Sequence, residues 1–305
     1  MVHPFLLIQI NGFMKKLVAA NIEKYLNLNT CNYLYRMIQL IDQLKRNIVL
    51  TSIPQRIISL VPSQTELLFD LGLDDEIVGI TKFCIHPDSL YRKKTRVGGT
   101  KQIDFEKIVQ LNPEVIICNK EENDMVQVNE LMHRFSVWVS DVRNLDDALE
   151  MIQQIGNLVG KEERAYALQQ NIRRQFNLFN PYPPFEKSHP LNTAYFIWKN
   201  PLMSVGADTF IHDMLSRCGL KNAFMAKTRY PEITMQELSH LSPDVILLSS
   251  EPFPFKEKHL ADFKRVCPES KILLADGEFF SWYGSRLLKA PDYFRSLVKQ
   301  IHYSN

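Results

Sequence analysis

The run from Asn144 to Phe179 constrains the fold more than any other part of the sequence. Its apolar residues recur at steps of three and four, which is typical of a helix buried along one side. Asn144 can cap the start of this helix, and Gly160 interrupts the pattern. We therefore predict two helical pieces, of which the second covers residues 161–179 and is roughly 30 Å long at about 1.5 Å per residue.

Two stretches on either side of this helix have similar sequences. FEKIVQLNPEVIIC (Phe105 to Cys118) aligns without a gap with MQELSHLSPDVILL (Met235 to Leu248), and each predicts a helix, a proline corner and an apolar strand. VWVSD (Val137 to Asp141) and ILLAD (Ile272 to Asp276) repeat the next strand. Because strands alternate with helices in both stretches, we predict two α/β lobes with parallel sheets, joined by the long helix.

Capping residues mark several predicted helix starts. Asp104 and Thr234 stand before the two similar helices, and Asp208 stands before a further helix in the second half. Ser63, with Glu66 three positions later, fits a capping box. We predict that each of these residues caps the helix that follows it.

The domain boundaries follow from the same patterns. Residues 1–36 fit neither a secretory signal nor a folded unit, and regular patterning begins near Met37. We interpret residues 1–36 as a non-conforming N-terminal extension, for which a start assigned too far upstream is one explanation. The predicted units are an N-terminal α/β lobe over 37–159, a bridging helix over 160–180 and a C-terminal α/β lobe over 181–305.

Composition and motifs exclude several classes of function. Of the 305 residues, 45% are hydrophobic and 23% are charged, which is typical of a globular protein. The net charge of +2 gives no electrostatic basis for binding nucleic acid or an anionic membrane. The sequence contains no phosphate loop, dinucleotide fingerprint, HExxH motif or paired CxxC, and no convincing acid–base couple. We expect a monomer without catalytic residues and without an intrinsic cofactor.

Aromatic residues are concentrated in the loops that follow the predicted strands. In parallel α/β lobes, ligands bind in the crevice beyond the carboxyl ends of the strands. Two facing clefts lined by aromatic rings suit a large, flat, partly apolar ligand, although the same rings could instead pack between the lobes. The residues are Phe83, Phe253, Phe255, Phe279, Phe280, Trp282 and Tyr283, with Tyr230 nearby.

Cys84 and His86, in the segment KFCIHP, form the most metal-like pair in the sequence. A Cys-x-His spacing on a loop can ligate zinc or iron, or it can place an imidazole on the metal of a bound chelate. The alternative is a buried thiol beside a histidine that is hydrogen bonded to the backbone. Glu278 and Arg286 can similarly pair with each other or with polar groups of a ligand.

The segment RIISLVPSQTELLFDLG, the two helix–proline–strand units and the long helix together resemble one known family. This is the helical-backbone metal-receptor family of ABC-importer substrate-binding proteins, whose members bind cobalamin, haem or ferric siderophores. The resemblance covers about Met37 to Ile301. It implies an α/β fold of the class III periplasmic-binding-protein type, with two Rossmann-like lobes joined by a single long α-helix. It also implies that a cobalt or iron chelate is held between the lobes.

The resemblance implies roles for residues at matching positions. Glu106 matches the surface glutamate by which the first lobe docks on arginines of a membrane permease. The equivalent position in the second lobe is Gln236, so the adjacent Glu237 becomes the candidate there. The resemblance implies ligand contacts from seven residues: Pro62, Ser63, Gln64, Phe83, Tyr230, Glu278 and Phe279. Trp282 and Tyr283, from the group of cleft aromatics, complete the set of residues expected to contact the ligand.

Two further features depart from the family pattern. Thr100 stands where cobalamin binders can have a large aromatic residue. The family normally works outside the inner membrane, which implies a periplasmic location, whereas the sequence as written shows no export signal.

The expected function is therefore that of a non-enzymatic binding protein that delivers its ligand to an ABC importer permease. A cobalamin-like compound is the first expected ligand, and a ferric siderophore or haem is the second. One alternative is a cytosolic chelatase-like enzyme that acts on a macrocycle through Cys84 and His86. Another is a carrier or sensor of metal chelates that works without a permease.

Overall fold

A computed structural model describes residues 37–180 and 190–303 of the chain. The predictions made for residues 1–36, and for the beginning of the second lobe at 181–189, lie outside the described residues. None of the described helices combines the length and the hydropathy needed to cross a membrane.

The first lobe is a parallel α/β unit preceded by an antiparallel hairpin. The hairpin and the lobe contain the strands β1 (Ile38–Ile41), β2 (Asn47–Leu50), β3 (Ile57–Ser59), β4 (Ile77–Ile80), β5 (Thr95–Arg96), β6 (Val115–Asn119) and β7 (Val137–Ser140). The helices are α1 (Pro62–Asp70), α2 (Asp88–Lys93), α3 (Phe105–Leu111) and α4 (Met125–Met132). The sheet has the order β5-β4-β3-β6-β7 with every pair parallel, as predicted. All residues of β6 and β7 are buried, as expected for parallel strands covered on both faces.

Within the described residues, the second lobe repeats the order of four of these parallel strands and has a short antiparallel strand instead of the fifth parallel one. Its strands are β8 (Asn192–Trp198), β9 (Met203–Ser204), β10 (Lys221–Asn222), β11 (Val245–Ser249) and β12 (Lys271–Ala275). Its helices are α7 (Phe210–Arg217), α8 (Met235–Leu241), α9 (Leu260–Val266), α10 (Glu278–Ser281) and α11 (Ala290–Tyr303), with 3-10 helices at Glu257–His259 and Ser285–Leu288. The strand order is β10-β8-β11-β12, all parallel. The short β9 pairs antiparallel with β8, so this sheet is not purely parallel as predicted.

Two consecutive helices, α5 (Leu145–Leu158) and α6 (Glu162–Leu178), lie between the lobes in the sequence. The predicted division at Gly160 is confirmed, because this residue has a φ of 68°, which favours glycine. The Asn144 side chain accepts a hydrogen bond from the Asp147 backbone N–H at 2.9 Å, which confirms the predicted cap. The two helices pack closely at Gly156, where an added Cβ would lie 2.2 Å from Cβ of Ala165.

Helix α6 contacts both lobes. Near its start, Arg164 Nη1 donates a hydrogen bond to the Leu71 carbonyl of the first lobe at 3.0 Å. Near its end, the ring of Phe176 packs edge-to-face on Phe294 of helix α11, with 6.4 Å between the ring centroids. The bridge is therefore held at both ends by side-chain contacts.

The similarity between the two halves extends to the helix ends. Asp104 accepts a hydrogen bond from the Lys107 N–H, and Thr234 accepts one from the Glu237 N–H, so both predicted caps are confirmed. Each helix ends in a residue with left-handed backbone conformation, Asn112 with a φ of 42° and Ser242 with a φ of 43°. A proline follows each of these residues, and the apolar strand begins two residues later. The two units thus share their backbone conformation as well as their sequence pattern.

Two other predicted caps are wrong. Helix α1 begins two residues earlier than the predicted Ser63 cap implies, because Pro62, with its fixed φ and no N–H, can occupy the first helical position. Ser63 therefore lies inside the first turn, and Val61 is the N-cap residue. Helix α7 is capped by Thr209, whose hydroxyl accepts from the His212 N–H.

Candidate functional site

The carboxyl ends of the central strands define the candidate site. In the first lobe the chain leaves β3 for β4 and β5 on one side and returns to β6 on the other, which creates a crevice at the ends of β3 and β6. In the second lobe β8 lies between β10 and β11, so the corresponding position is at the ends of β8 and β11. Side chains that follow β3 and β6 contact side chains that follow β10 and β12 of the second lobe.

Arg286 makes one of the contacts between the lobes. Its guanidinium binds Glu66 of helix α1 with two hydrogen bonds, at 3.0 Å from Nε and 2.7 Å from Nη2. Its Nη1 atom lies 2.5 Å from Glu278, and its guanidinium carbon lies 4.5 Å from the ring centroid of Trp282. Next to it, the Ser285 hydroxyl donates a hydrogen bond to Asp70. Helix α1 is thereby joined to the second lobe.

The loop after β6 makes further contacts between the lobes. Glu121 accepts hydrogen bonds from the Arg229 guanidinium and from the Tyr230 hydroxyl, the latter at 2.5 Å. Glu122 accepts a hydrogen bond from the Tyr283 hydroxyl at 2.6 Å. Tyr230 and Tyr283, both expected in the cleft, therefore point their hydroxyl groups at carboxylates of the first lobe.

Glu122 and Glu251 have raised pKa values. Burial raises the pKa of Glu122 from 4.5 to about 7, opposed by the hydrogen bond from Tyr283 and reinforced by the negative charge of Glu251. Burial also raises the pKa of Glu251, which accepts hydrogen bonds from Trp282 Nε1 at 2.9 Å and from the Ser281 hydroxyl. Since the folded state holds the Glu122 proton more tightly than the unfolded chain does, stability falls as the pH rises from 4.5 to about 7.

The predicted cleft aromatics differ in how much of their ring surface is open to a ligand. Phe83 is 51% exposed, Ile85 beside it is 48% exposed, and Lys82 Nζ lies 5.1 Å from the centroid of the Phe83 ring. Phe279 stacks on Tyr293, with 4.5 Å between the centroids. Four other members of the group are buried: Phe255, Phe280, Trp282 and Tyr283. Packing is therefore the structural role of these four rings, while Phe83 is open to a ligand.

Pro62, Ser63 and Gln64 are all buried, contrary to the expectation that they contact a ligand directly. The Gln64 amide points into the first lobe, where its Nε2 atom lies 3.3 Å from the sulfur of Met151. The Ser63 carbonyl lies so close to Gly284 that a Cβ there would be 2.5 Å away. The first turn of helix α1 therefore packs beneath the second lobe and forms a floor for the crevice.

Cys84 and His86 have different environments. The Cys84 thiol is buried between the hydroxyls of Thr65 and Thr81, each 3.1 Å away, and burial raises its pKa to about 11. His86 is partly exposed, and its Nε2 atom lies 3.2 Å from Glu278 across the interface between the lobes. The structure thus does not support Cys84 as a metal ligand, since an uncharged thiol buried in the lobe cannot reach a ligand in the crevice. Within the described residues, no group of three or more His, Cys, Asp or Glu side chains could hold a metal ion.

The two docking candidates lie in the first turns of helices α3 and α8. Glu106 is exposed and makes no hydrogen bond or ion pair with any described residue. Glu237 completes a capping box with Thr234 and lies 3.2 Å from Lys227, and these contacts lower its pKa. Glu106 is therefore the freer of the two carboxylates.

Sequence reasoning missed four charged residues of the crevice: Glu121, Glu122, Arg229 and Glu251. A signal for two of them was present, because the similarity between the two halves continues past the strands. Three residues beyond Cys118 and Leu248, which end the aligned stretches, stand Glu121 and Glu251. The repeated strand–loop unit thus places one carboxylate in each lobe at the same position.

Comparison with known proteins agrees with this architecture. The chain is 24% identical over 214 residues, or 68% of its length and 67% of the relative's, to the uncharacterized ABC transporter substrate-binding lipoprotein YvrC of Bacillus subtilis. It is 24% identical over 197 residues, 64% of this chain and 69% of the relative, to the vitamin B12-binding protein of Yersinia pestis. A periplasmic heme-binding protein of Pseudomonas aeruginosa has the same fold, with a TM-score of 0.68 at 22% identity over 82% of this chain and 94% of that one.

The fold is the two-lobed, helix-bridged type of the class III periplasmic binding proteins. The profile of the family described as periplasmic binding protein matches residues 57–265, which is more than half of the chain. This range runs from the first strand of the first sheet, across the bridge, to helix α9 of the second lobe. The chain therefore belongs to the periplasmic binding protein family.

Proposed function

We propose that this protein binds a metal chelate or tetrapyrrole between its lobes and delivers it to the permease of an ABC importer. The observation that carries the proposal is the crevice between the lobes, where side chains that follow strands of the first sheet contact side chains that follow strands of the second. Similarity to a substrate-binding lipoprotein of an ABC transporter and to a vitamin B12-binding protein supports the same role.

The open part of the crevice suits a flat ligand. Phe83 and Ile85 expose apolar surface that no described residue covers fully, and an aromatic ring can stack on a conjugated macrocycle. We propose a cobalt or iron chelate as the cargo and expect no cofactor of the protein's own. Among the residues first expected at the site, we propose Phe83, Tyr230, Glu278 and Phe279 as ligand contacts, with Trp282 and Tyr283 supporting them from the buried side.

His86 is the candidate for direct contact with the metal of the chelate. Its Nε2 atom is near Glu278, which can fix the orientation of the ring and leave Nδ1 available as a ligand. We expect His86→Ala to remove any spectral sign of imidazole coordination while the chelate still binds. An unchanged spectrum would show that His86 does not touch the metal.

Binding is tested by titrating the purified full chain with cobalamin, cobinamide, haem and ferric siderophores while following absorbance. We expect saturable binding of at least one of these chelates with one site per chain. Binding of none of them would contradict the proposal. Turnover of a metal-free macrocycle would instead favour a chelatase-like enzyme, although the burial of Cys84 gives that reaction no accessible thiol.

Docking on the permease is tested by Glu106→Arg. Because Glu106 is exposed and unpaired among the described residues, reversing its charge should leave ligand affinity within about twofold and reduce cellular uptake of the ligand at least about tenfold. Glu130→Arg, at an exposed position of helix α4, is the matched control and should leave uptake unchanged. Unchanged uptake in the Glu106 variant would contradict this docking role and would favour a carrier that works without a permease.

A further inference from the structure

The arginines of the crevice are already neutralised by carboxylates. Arg286 is bound by Glu66 and Glu278, and Arg229 is bound by Glu121 with Asp208 nearby at 3.9 Å. Neither guanidinium is left with an unopposed positive charge that could attract an anionic ligand.

The two lysines near the site lie outside these ion pairs. Lys82 lies over the Phe83 ring, and Lys101 Nζ donates to the backbone carbonyls of Glu121 and Asn123, at 2.6 and 3.3 Å. Lys101 is close enough to Glu122 to favour its charged form, but it forms no ion pair with it. Lys101 therefore offsets only part of the negative charge in the loop after β6.

Two carboxylates of the crevice have only neutral hydrogen-bond donors. Glu122, after β6, receives the Tyr283 hydroxyl, and Glu251, after β11, receives the Trp282 indole N–H and the Ser281 hydroxyl. Neither forms an ion pair with any lysine or arginine of the described residues. The two glutamates come from opposite lobes, and their donors, Tyr283 and Trp282, are adjacent in the chain. An ionised carboxylate accepts about four hydrogen bonds, so each retains acceptor capacity.

We propose that Glu122 and Glu251 select the ligand by charge. The crevice takes a chelate whose periphery is uncharged or cationic and rich in N–H donors such as carboxamides, and it rejects a chelate that carries carboxylates. This inference rests on the proposed function and narrows it to one chemical class of ligand.

The physical reason is that the two glutamates have different interactions in the complexes with the two kinds of ligand. A peripheral carboxamide donates N–H groups to their free oxygen atoms, which compensates these atoms for the water they lose when the ligand covers them. A peripheral carboxylate offers no donor and adds a like charge in a partly desolvated site, where repulsion is strong. Selectivity of this kind comes as much from rejecting the wrong ligand as from attracting the right one.

The test compares two corrinoids that share the ring and the metal. One is dicyanocobinamide, with peripheral carboxamides, and the other is dicyanocobyrinic acid, in which the corresponding groups are carboxylates. Affinities are measured by titration at pH 8, where the carboxylates of the acid are ionised. We expect the wild-type chain to bind the carboxamide form at least about tenfold more tightly, and Glu122→Gln/Glu251→Gln to reduce that ratio at least about tenfold.

A charge-matched control and a folding control accompany the double variant. Glu130→Gln removes an exposed carboxylate outside the crevice and should leave the ratio unchanged. Thermal unfolding of each variant, followed by circular dichroism, shows whether the fold is retained, and each single Gln variant replaces the double variant if that one does not fold. Equal affinity of the wild-type chain for both corrinoids, or an unchanged ratio in the folded variants, would overturn the charge-selection proposal.

The outcomes also separate this inference from the proposed function. If the wild-type chain binds neither corrinoid, nor haem, nor a ferric siderophore, the proposed function itself fails. If it binds them without regard to peripheral charge, or prefers haem with its two carboxylates, only the charge-selection inference fails.

Discussion

Replacement of Arg286 by Ala is expected to lower the free energy of unfolding by about 3–5 kcal/mol. The side chain is only 15% exposed, and its guanidinium forms ion pairs with both Glu66 of the first lobe and Glu278 of the second. Removing it leaves two poorly hydrated carboxylates without a counter-ion, and this penalty exceeds the value of the lost hydrogen bonds. Urea denaturation followed by circular dichroism measures the difference.

Arg295→Ala provides the control for this effect. Arg295 also pairs with a carboxylate, that of Asp292, but the partner is 80% exposed and water can replace the interaction. Its loss should cost less than about 1 kcal/mol. Similar losses in the two variants would show that the Arg286 cluster behaves as an ordinary surface ion pair.

Replacement of Gly156 by Leu is expected to destabilise the protein by about 3 kcal/mol through a different mechanism. Even a methyl group at this position would lie 2.2 Å from Cβ of Ala165, so a larger side chain must push helices α5 and α6 apart. The same leucine introduced at Glu150, an exposed position of α5, should change stability by less than about 0.5 kcal/mol.

A compensating pair makes the packing explanation for Gly156 testable. Gly156→Ala should be destabilising by itself, whereas Gly156→Ala combined with Ala165→Gly exchanges the two side chains across the same contact. If close packing is the cause, part of the lost free energy should return in the double variant. Strictly additive losses would point to helix propensity and not to contact between the helices.

The overall fold could be predicted from the sequence because several independent signals agree. The alternation of strands and helices, the caps at Asp104, Asn144 and Thr234, and the glycine at 160 all indicate the observed architecture. Where they failed, at Ser63 and Asp208, a neighbouring residue could begin or cap the helix equally well. Choosing between adjacent residues depends on packing that a local pattern does not contain.

The candidate site was less predictable than the fold. The sequence places Tyr230, Glu278 and Tyr283 after strands, but it cannot show that Glu121 and Glu122 pair with the two tyrosines, because these partners are more than 100 residues apart. The direction of Gln64 and Cys84 into the lobe is set by contacts with Ser140 and with Thr65, from other elements. The direction of individual side chains is therefore the information that was missing.

The attachment of helix α6 at both ends has a consequence for how a partner could recognise the loaded protein. Arg164 ties the helix to the first lobe and Phe176 ties it to the second, so arrival of a ligand leaves the distance between the lobes nearly fixed. A partner cannot then tell full from empty by overall shape. A partner must therefore recognise occupancy locally, from the side chains at the rim of the crevice. The ligand immobilises some of these side chains and leaves others free to move.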